Sequence, residues 1–338
     1  MKHFTIGDKE FPHNGPPLHV AEIGLNHGGS VKKAISLMFE AKNAGADAVK
    51  FQYIIPDKFI NPKHPATQEA YTLFKKTALS DNDYYRLKQV ASDENLLFFC
   101  SVFDEVSLNR LEDIGVELYK IASGDIINIP LLKAVAATGK PIILSTGAST
   151  LQEIDRAVRL LKRKNGKIIL LHCVSEYPCD PQMVNLAAMD VLQRRYSLPV
   201  GFSDHTKGDF TAIIAAVMGA QVIEKHFMAA GDEKALDAVV SLTAEEYARM
   251  IRRCTAAVRI KGKAHKEPTT QEVATNMIGR RSLYAARDIP PGTKITRDMV
   301  AILRPADAFP PSKLLWLIGK RTNKKIAMFE AFDIEKIQ

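Results

Sequence analysis

Tryptophan occurs once in the 338 residues, and cysteine only four times. The cysteines (Cys100, Cys173, Cys179, Cys254) form no C-x-x-C pair and show no zinc-like spacing. That argues against a cysteine-bound zinc and against a disulfide framework, and in a chain of this size they read as reduced, mostly buried thiols. No apolar run reaches the roughly 18–20 residues that a membrane helix needs. Met1–Glu10 lacks the basic end, apolar stretch and small cleavage residues of a secretory leader. The expected setting is soluble and cytoplasmic, with no membrane partner. A G-x-G-x-x-G turn is missing too. After the first apolar strand stands Gly24-Leu25-Asn26-His27-Gly28-Gly29, which argues against an open dinucleotide-binding sheet.

Excess charge is absent from most of the chain. The formal net charge is +8, but from Lys261 to the end 15 Lys/Arg face 8 Asp/Glu, so the long N-terminal part is near neutral. A basic tail attracts anions or a partner subunit. Without an arginine-rich tract or interleaved aromatics, no nucleic-acid partner is expected. Hydrophobic residues at 46% with 25% charged exclude wholesale disorder. At about 150 residues per domain, the length suggests one large domain and one small.

What is present is alternation. Short β-branched runs stand at His19–Ile23, Ala48–Gln52, Leu96–Val102, Leu118–Ala122, Pro141–Ser145, Lys167–His172, Pro199–Phe202 and Gln221–His226, with helical patterns between them. Val31, Ala34, Ile35, Met38 and Ala41 keep the helical period and stop at Asn43-Ala44-Gly45. Eight strand–helix units predict an α/β fold, a closed (β/α)₈ TIM barrel, over residues 1–262. Residues 263–276 read as a polar linker. From 277 to 338, short strands and tight turns such as Asp288-Ile-Pro-Pro-Gly-Thr predict a small β-rich domain.

A parallel barrel gathers its site at the C-terminal strand ends. Every strand delivers polar side chains there: Glu22, Asn26 and His27; Lys50 and Gln52; Ser101 and Asp104; Lys120 and Ser123; Ser145 and Thr146; His172, Ser175 and Tyr177; Ser203-Asp204-His205; Glu224-Lys225-His226. His205 and His226, on neighbouring strands about 4.8 Å apart, are either two satisfied core histidines or two ligands of one Mn²⁺, Zn²⁺ or Fe²⁺. Taken together, they favour the metal. Lys50 and Lys120 lie in apolar strands and need a partner for their charge. They read as a phosphate or carboxylate clamp, as a Schiff-base nucleophile, or as lysines snorkelling from a barrel end. Glu22 is a salt-bridge partner of Lys50 or the general acid/base.

The stretches AEIGLNHGGS (21–30), AGADAVKFQ (44–52), YKIASGD (119–125), PIILSTGAS (141–149), LLHCVSEYP (170–178), VGFSDHT (200–206) and VIEKHF (222–227) resemble the sialic acid synthase family. This family makes N-acetylneuraminate, legionaminate or pseudaminate. RSLYAARDIPPGTKIT (281–296), Arg304-Pro305 and LIGK (317–320) are similar to its antifreeze-like SAF domain. The resemblance implies an enzyme that condenses phosphoenolpyruvate with an N-acylated mannosamine-type sugar and releases phosphate. C3 of phosphoenolpyruvate attacks the open-chain aldehyde, water adds at C2, and C–O cleavage leaves a nine-carbon 2-keto acid.

By the same resemblance, His205 and His226 hold a divalent metal, Mn²⁺ in the first place, with Mg²⁺ or Co²⁺ as alternatives. Glu22 acts beside the reacting carbons. Lys50, Ser101, Lys120, Ser123, Ser145, Ser175 and Ser203 hold phosphoenolpyruvate, and Gln52, Tyr177 and Asp237 contact the sugar. Arg304 reaches the sugar's acyl group in the partner subunit, which implies a domain-swapped homodimer. The chain departs from the family at Ala235–Val240, where Ala238 follows Asp237 in place of a polar neighbour, at Ser101 (threonine elsewhere) and at Ser175 (asparagine in some members). The Ile54–Leu79 stretch is expected to fold over the site. Competing readings are another phosphoenolpyruvate- or pyruvate-using barrel, such as a Schiff-base aldolase or a sugar-phosphate synthase, and a catalytically silent sugar-binding homologue.

Overall fold

A computed structural model describes residues 3–6, 9–12 and 15–338. The chain divides into two compact units, Met1–Gly262 and Lys263–Gln338. Strands β1 (His3–Ile6) and β2 (Lys9–Pro12) form an antiparallel hairpin. Eight parallel strands follow: β3 (Leu18–Gly24), β4 (Ala48–Gln52), β5 (Leu97–Ser101), β6 (Tyr119–Ile121), β7 (Ile142–Ser145), β8 (Ile168–Cys173), β9 (Val200–Asp204) and β10 (Val222–His226). Each pairs with the next and β10 with β3, so the barrel closes.

The connecting helices of the barrel unit are α1 (Val31–Asn43), α2 (Pro56–Phe59), α3 (Gln68–Thr77), α4 (Asp81–Asp93), α5 (Glu105–Ile114), α6 (Ile129–Ala137), α7 (Leu151–Lys162), α8 (Ala188–Tyr196), α9 (Phe210–Met218) and α10 (Ala244–Lys261). Their ends follow local chemistry. The Ser30 side chain caps α1, and Thr150 with Glu153 closes a reciprocal capping box on α7. Among the described residues no helix is long and apolar enough to cross a membrane.

Strand alternation sorts the side chains into two layers. Outward residues such as Ala21, Val49, Tyr119, Leu144, Phe202 and Ile223 pack under the helices. Inward residues Leu18, Val20, Ala48, Leu97, Phe99, Leu118, Ile143, Ile169, Leu171 and Val222 fill the barrel, and Ile6 of the hairpin joins them. The hairpin, which the periodicity does not announce, thereby closes the barrel's lower mouth. Gly201 also faces inward: a Cβ there would lie 2.5 Å from the Val222 carbonyl oxygen, so no larger residue fits.

The second unit is built from α11 (Thr270–Gly279), the antiparallel pair β11 (Ser282–Ala285) and β12 (Val300–Leu303), and α12 (Leu314–Leu317). Leu283, Ala285, Ile289, Ile295, Val300, Leu317, Ile326 and Phe332 form its own core. The linker expected at 263–276 is corrected here, because α11 starts inside it. Thr269 and Glu272 form a capping box just after Pro268, a helix start that the polar composition conceals.

His19, on the outer face of β3, is buried with neither ring nitrogen hydrogen-bonded. Burial holds its pKa at about 4, against an ordinary 6.5. Between those values the unfolded chain binds the proton more readily, so stability is full above about pH 6.5 and falls as pH drops towards 4. At about 1.4 kcal/mol per unit, the loss over that window is roughly 3 kcal/mol. His19→Leu is expected to remove this component. Thermal unfolding from pH 7 to 4 checks it: the variant's melting temperature should fall less than that of wild type.

Candidate active site

Two residues beyond the last inward apolar position of each strand, the interior turns polar. Glu22 follows Val20, Lys50 follows Ala48, Ser101 follows Phe99, and Lys120 follows Leu118. Ser145 follows Ile143, Cys173 follows Leu171, Ser203 follows Gly201, and Glu224 follows Val222. Gln52 and His226 stand two positions further on. All of these line one cavity of about 250 Å³, together with Ser123, Ser175, Tyr177, His205 and a wall of Phe59, Phe74 and Phe103. The strand register fixes the ring, with Glu22 opposite both Lys50 and His226, and Ser101 opposite both Gln52 and Lys120.

Charge is balanced within the ring. Lys50 Nζ lies 2.8 Å from Glu22 Oε2 and 3.8 Å from Glu224 Oε2, and it donates to Ser101 Oγ at 3.2 Å. Lys120 Nζ lies 3.4 Å from Glu224 Oε1, which also accepts from Ser203 Oγ at 2.9 Å. Burial works against the Lys50 charge, but Glu22 and Glu224 outweigh it and raise its pKa. Burial lowers the Lys120 pKa, and Glu224 offsets this only in part. Burial alone would raise the Glu224 carboxyl, yet Lys120 and Lys50 hold it at about 2. Gln52 Nε2 donates to Glu22 Oε1 at 3.1 Å.

Beside the lysines, the backbone makes room for an anion. Gly147 N donates to Ser123 Oγ at 3.0 Å. A Cβ on Gly147 would meet Ser175 Oγ at 2.5 Å, Cys173 Sγ at 2.6 Å and Ser123 Oγ at 2.9 Å, so a larger residue would push these groups out of the cradle. Ser145 Oγ is buried there without a partner. Two ammonium groups, several hydroxyls and an orphaned hydroxyl can bind a phosphate and a carboxylate together.

The histidines occupy the other side. Their ring centroids are 5.8 Å apart, and the Tyr177 ring stacks on His205 at 4.1 Å and meets His226 edge-on at 5.8 Å. His205 Nδ1 donates to the Val174 carbonyl at 2.7 Å, which leaves the Nε2 lone pair on the cavity side, where it accepts from the Tyr177 hydroxyl at 2.9 Å. Burial and the nearby His226 hold His205 at about 4. Two imidazoles at this spacing would hold one divalent ion, and the Val174 carbonyl supplies the outer hydrogen bond such ligands use. Among the described residues no group of three or more His, Cys, Asp or Glu side chains forms a cage. Water and substrate oxygens would complete the shell.

The structure therefore brings Glu22, Lys50, Gln52, Ser101, Lys120, Ser123, Ser145, Ser175, Tyr177, Ser203, His205 and His226 to one cavity. Asp237 stands at its edge, with Oδ2 3.3 Å from His226 Nδ1. Asn26 pins the Asp237 loop by accepting from Asp237 N at 2.9 Å and donating to the Phe227 carbonyl and Ser241 Oγ. Arg304 belongs to the second unit, exposed just after β12. His172, counted with the rim residues, turns out of the barrel and pairs through Nε2 with the Val184 carbonyl. Glu224 links both lysines, a role that the sequence reading does not give it. The signal for it is its place two residues after Val222, in phase with Lys50 and Lys120.

Comparison with known proteins gives a consistent result. Residues 37–266 match the NeuB family and residues 280–327 the SAF domain. An N,N'-diacetyllegionaminic acid synthase of Legionella pneumophila is 35% identical, over 91% of this chain and 91% of its own length. A pseudaminic acid synthase of Campylobacter jejuni is 30% identical, over 92% and 94%. A crystal structure of N-acetylneuraminic acid (sialic acid) synthetase from Leptospira borgpetersenii, in complex with citrate, superposes with a TM-score of 0.76 at 37% identity. That match covers 81% of this chain and 94% of the other.

Proposed function

This chain belongs to the NeuB family, and from that premise we propose that it condenses phosphoenolpyruvate with an N-acylated mannosamine-type sugar, giving a sialic acid-like 2-keto acid and phosphate. One observation carries the reading. Two lysines with several serines and a pair of histidines line a single small cavity.

In this reading Lys50 and Lys120 exchange part of their pairing with Glu22 and Glu224 for the phosphate and carboxylate of phosphoenolpyruvate. Ser101, Ser123, Ser145, Ser175 and Ser203 hold those oxygens. Gln52, Tyr177 and Asp237 orient the sugar, and the Phe59–Phe74–Phe103 wall excludes bulk water. A divalent ion on His205 and His226, Mn²⁺ by preference, would polarise the aldehyde as a Lewis acid. Glu22, between Lys50 and Gln52, stands ready to move a proton beside the reacting carbons. The four unpaired, buried cysteines support a reducing, cytoplasmic setting.

The test is phosphate release with phosphoenolpyruvate and a panel of N-acylated hexosamines, with and without Mn²⁺. Sugar-dependent release supports the reading, and its absence across the panel removes it. One observation favours a Schiff-base route: burial lowers the Lys120 pKa. Borohydride with pyruvate separates the two, since a covalent adduct on Lys120 or Lys50 would establish that route.

Arg304 is assigned to the sugar's acyl group across a domain-swapped homodimer. Arg304→Ala is expected to raise the sugar KM about 10–100-fold, the worth of a charged hydrogen bond, while the phosphoenolpyruvate KM moves less than about threefold. Equal changes in both would end that assignment.

A further inference from the structure

We propose that the buried Asp204–Lys225 pair is a positioning device that sets His205 and His226 relative to one another. Asp204 and Lys225 are register partners on β9 and β10, and each immediately precedes one of the histidines. Alternation turns both away from the cavity, beneath α9. Both side chains are fully buried, with Lys225 Nζ 3.1 Å from Asp204 Oδ2. The inference rests on the histidine-bound metal of the proposed function.

The local wiring is what assigns the role. Asp204 Oδ1 accepts from Thr206 N and Thr206 Oγ1, each at 2.8 Å. Asp204 Oδ2 accepts from Thr211 Oγ1 of α9 at 3.0 Å. Lys225 Nζ also donates to the Thr206 carbonyl. The segment 204–206, with His205 at its centre, is therefore wrapped round one carboxylate. Both neighbours of His205 are held by the ammonium that directly precedes His226. His205 gains two further ties, its ring to the Val174 carbonyl and its own carbonyl to Cys179 N at 2.9 Å.

Stability alone does not account for such a pair. Taking two charges out of water offsets most of their attraction, and an apolar pair of similar volume commonly stabilises a fold as well or better. The outer layer nearby is in fact apolar, with Phe202 and Ile223 at the preceding outward positions. A dense polar network in one place, behind the two imidazoles, restricts their orientation as outer-layer partners of metal ligands do.

The decisive variant is the double replacement Asp204→Asn with Lys225→Met. It removes both charges at nearly constant volume and spares the fold the unpaired buried charge that either single change would leave. Two readouts on the metal-free protein are used: the imidazole ¹⁵N signals of His205, and titration with Mn²⁺. The expected result is a folded protein whose His205 no longer holds a single Nδ1–H tautomer and whose Mn²⁺ Kd rises about 10–100-fold.

A folded double variant with the wild-type tautomer and a Kd within about twofold of wild type would overturn the proposal. If wild type itself binds no Mn²⁺, the metal reading fails, and the tautomer signal alone decides whether the pair positions His205. Should the double variant not fold, Thr211→Val removes one hydroxyl, with its contacts to Asp204 and Thr206, and no charge. It should raise the Mn²⁺ Kd several-fold, and unchanged values there overturn the proposal equally.

Discussion

His226→Ala is expected to lower turnover about 10³-fold or more while the barrel remains folded. The ring stands at the C-terminal end of β10, lining the cavity, and it carries none of the apolar packing inside the barrel. Removing it leaves His205 as a lone imidazole, too weak a site to retain an ion at ordinary concentrations. The polarisation of the aldehyde that such an ion would supply, worth several kcal/mol, would go with it. Asp237 would also lose the partner that counteracts its burial. Burial alone would raise that carboxyl, whereas hydrogen bonding to His226 holds it below the usual range. Phosphate-release kinetics and circular dichroism check the prediction. Chelation of wild type should produce a comparable loss that added Mn²⁺ reverses, and the variant should be indifferent to both treatments. Full activity of His226→Ala in the presence of chelator would remove the metal from the mechanism.

Much of this arrangement is legible in the sequence, for a reason particular to parallel barrels. Strands buried on both faces read as short apolar runs, so all eight are visible, and the residues that break each run mark the rim. Alternation then tells inward from outward, and here a sequence reading reaches its limit. Lys225 stands between Glu224 and His226, and nothing in that tripeptide says that α9 extends over the outward side and buries the ammonium completely. His172 is similar: it ends an apolar run like a rim residue, yet its phase sends it outward to Val184. The hairpin β1–β2 escapes because it serves to close the barrel's lower mouth through Ile6, a tertiary event with no periodic signature. The start of α11 is written as a capping box, but the box sits in a polar stretch without the apolar repeat that would make it conspicuous.

Glu22→Gln is the second large effect expected, about 10²–10⁴-fold on kcat, and its interest lies in what should not change. Glutamine keeps the shape and can still accept from Gln52 or bond to Lys50, so the anion site stays assembled. The substitution removes one negative charge opposite Lys50, leaving Glu224 at 3.8 Å as that lysine's remaining carboxylate. Phosphoenolpyruvate, itself an anion, should therefore bind at least as well, with its KM unchanged or lowered. A fall in kcat without a rise in that KM is the mark of a group needed in the transition state and not for ground-state binding. A purely structural salt bridge predicts the opposite pattern: a loosened Lys50, a higher phosphoenolpyruvate KM and a largely preserved kcat. Steady-state kinetics on the single variant separates the two, and Lys50→Met provides the reference for what loosening the anion site looks like. If Glu22→Gln resembles Lys50→Met in raising KM alone, the proton-transfer role passes from Glu22 to Glu224, the other carboxylate in the cavity wall.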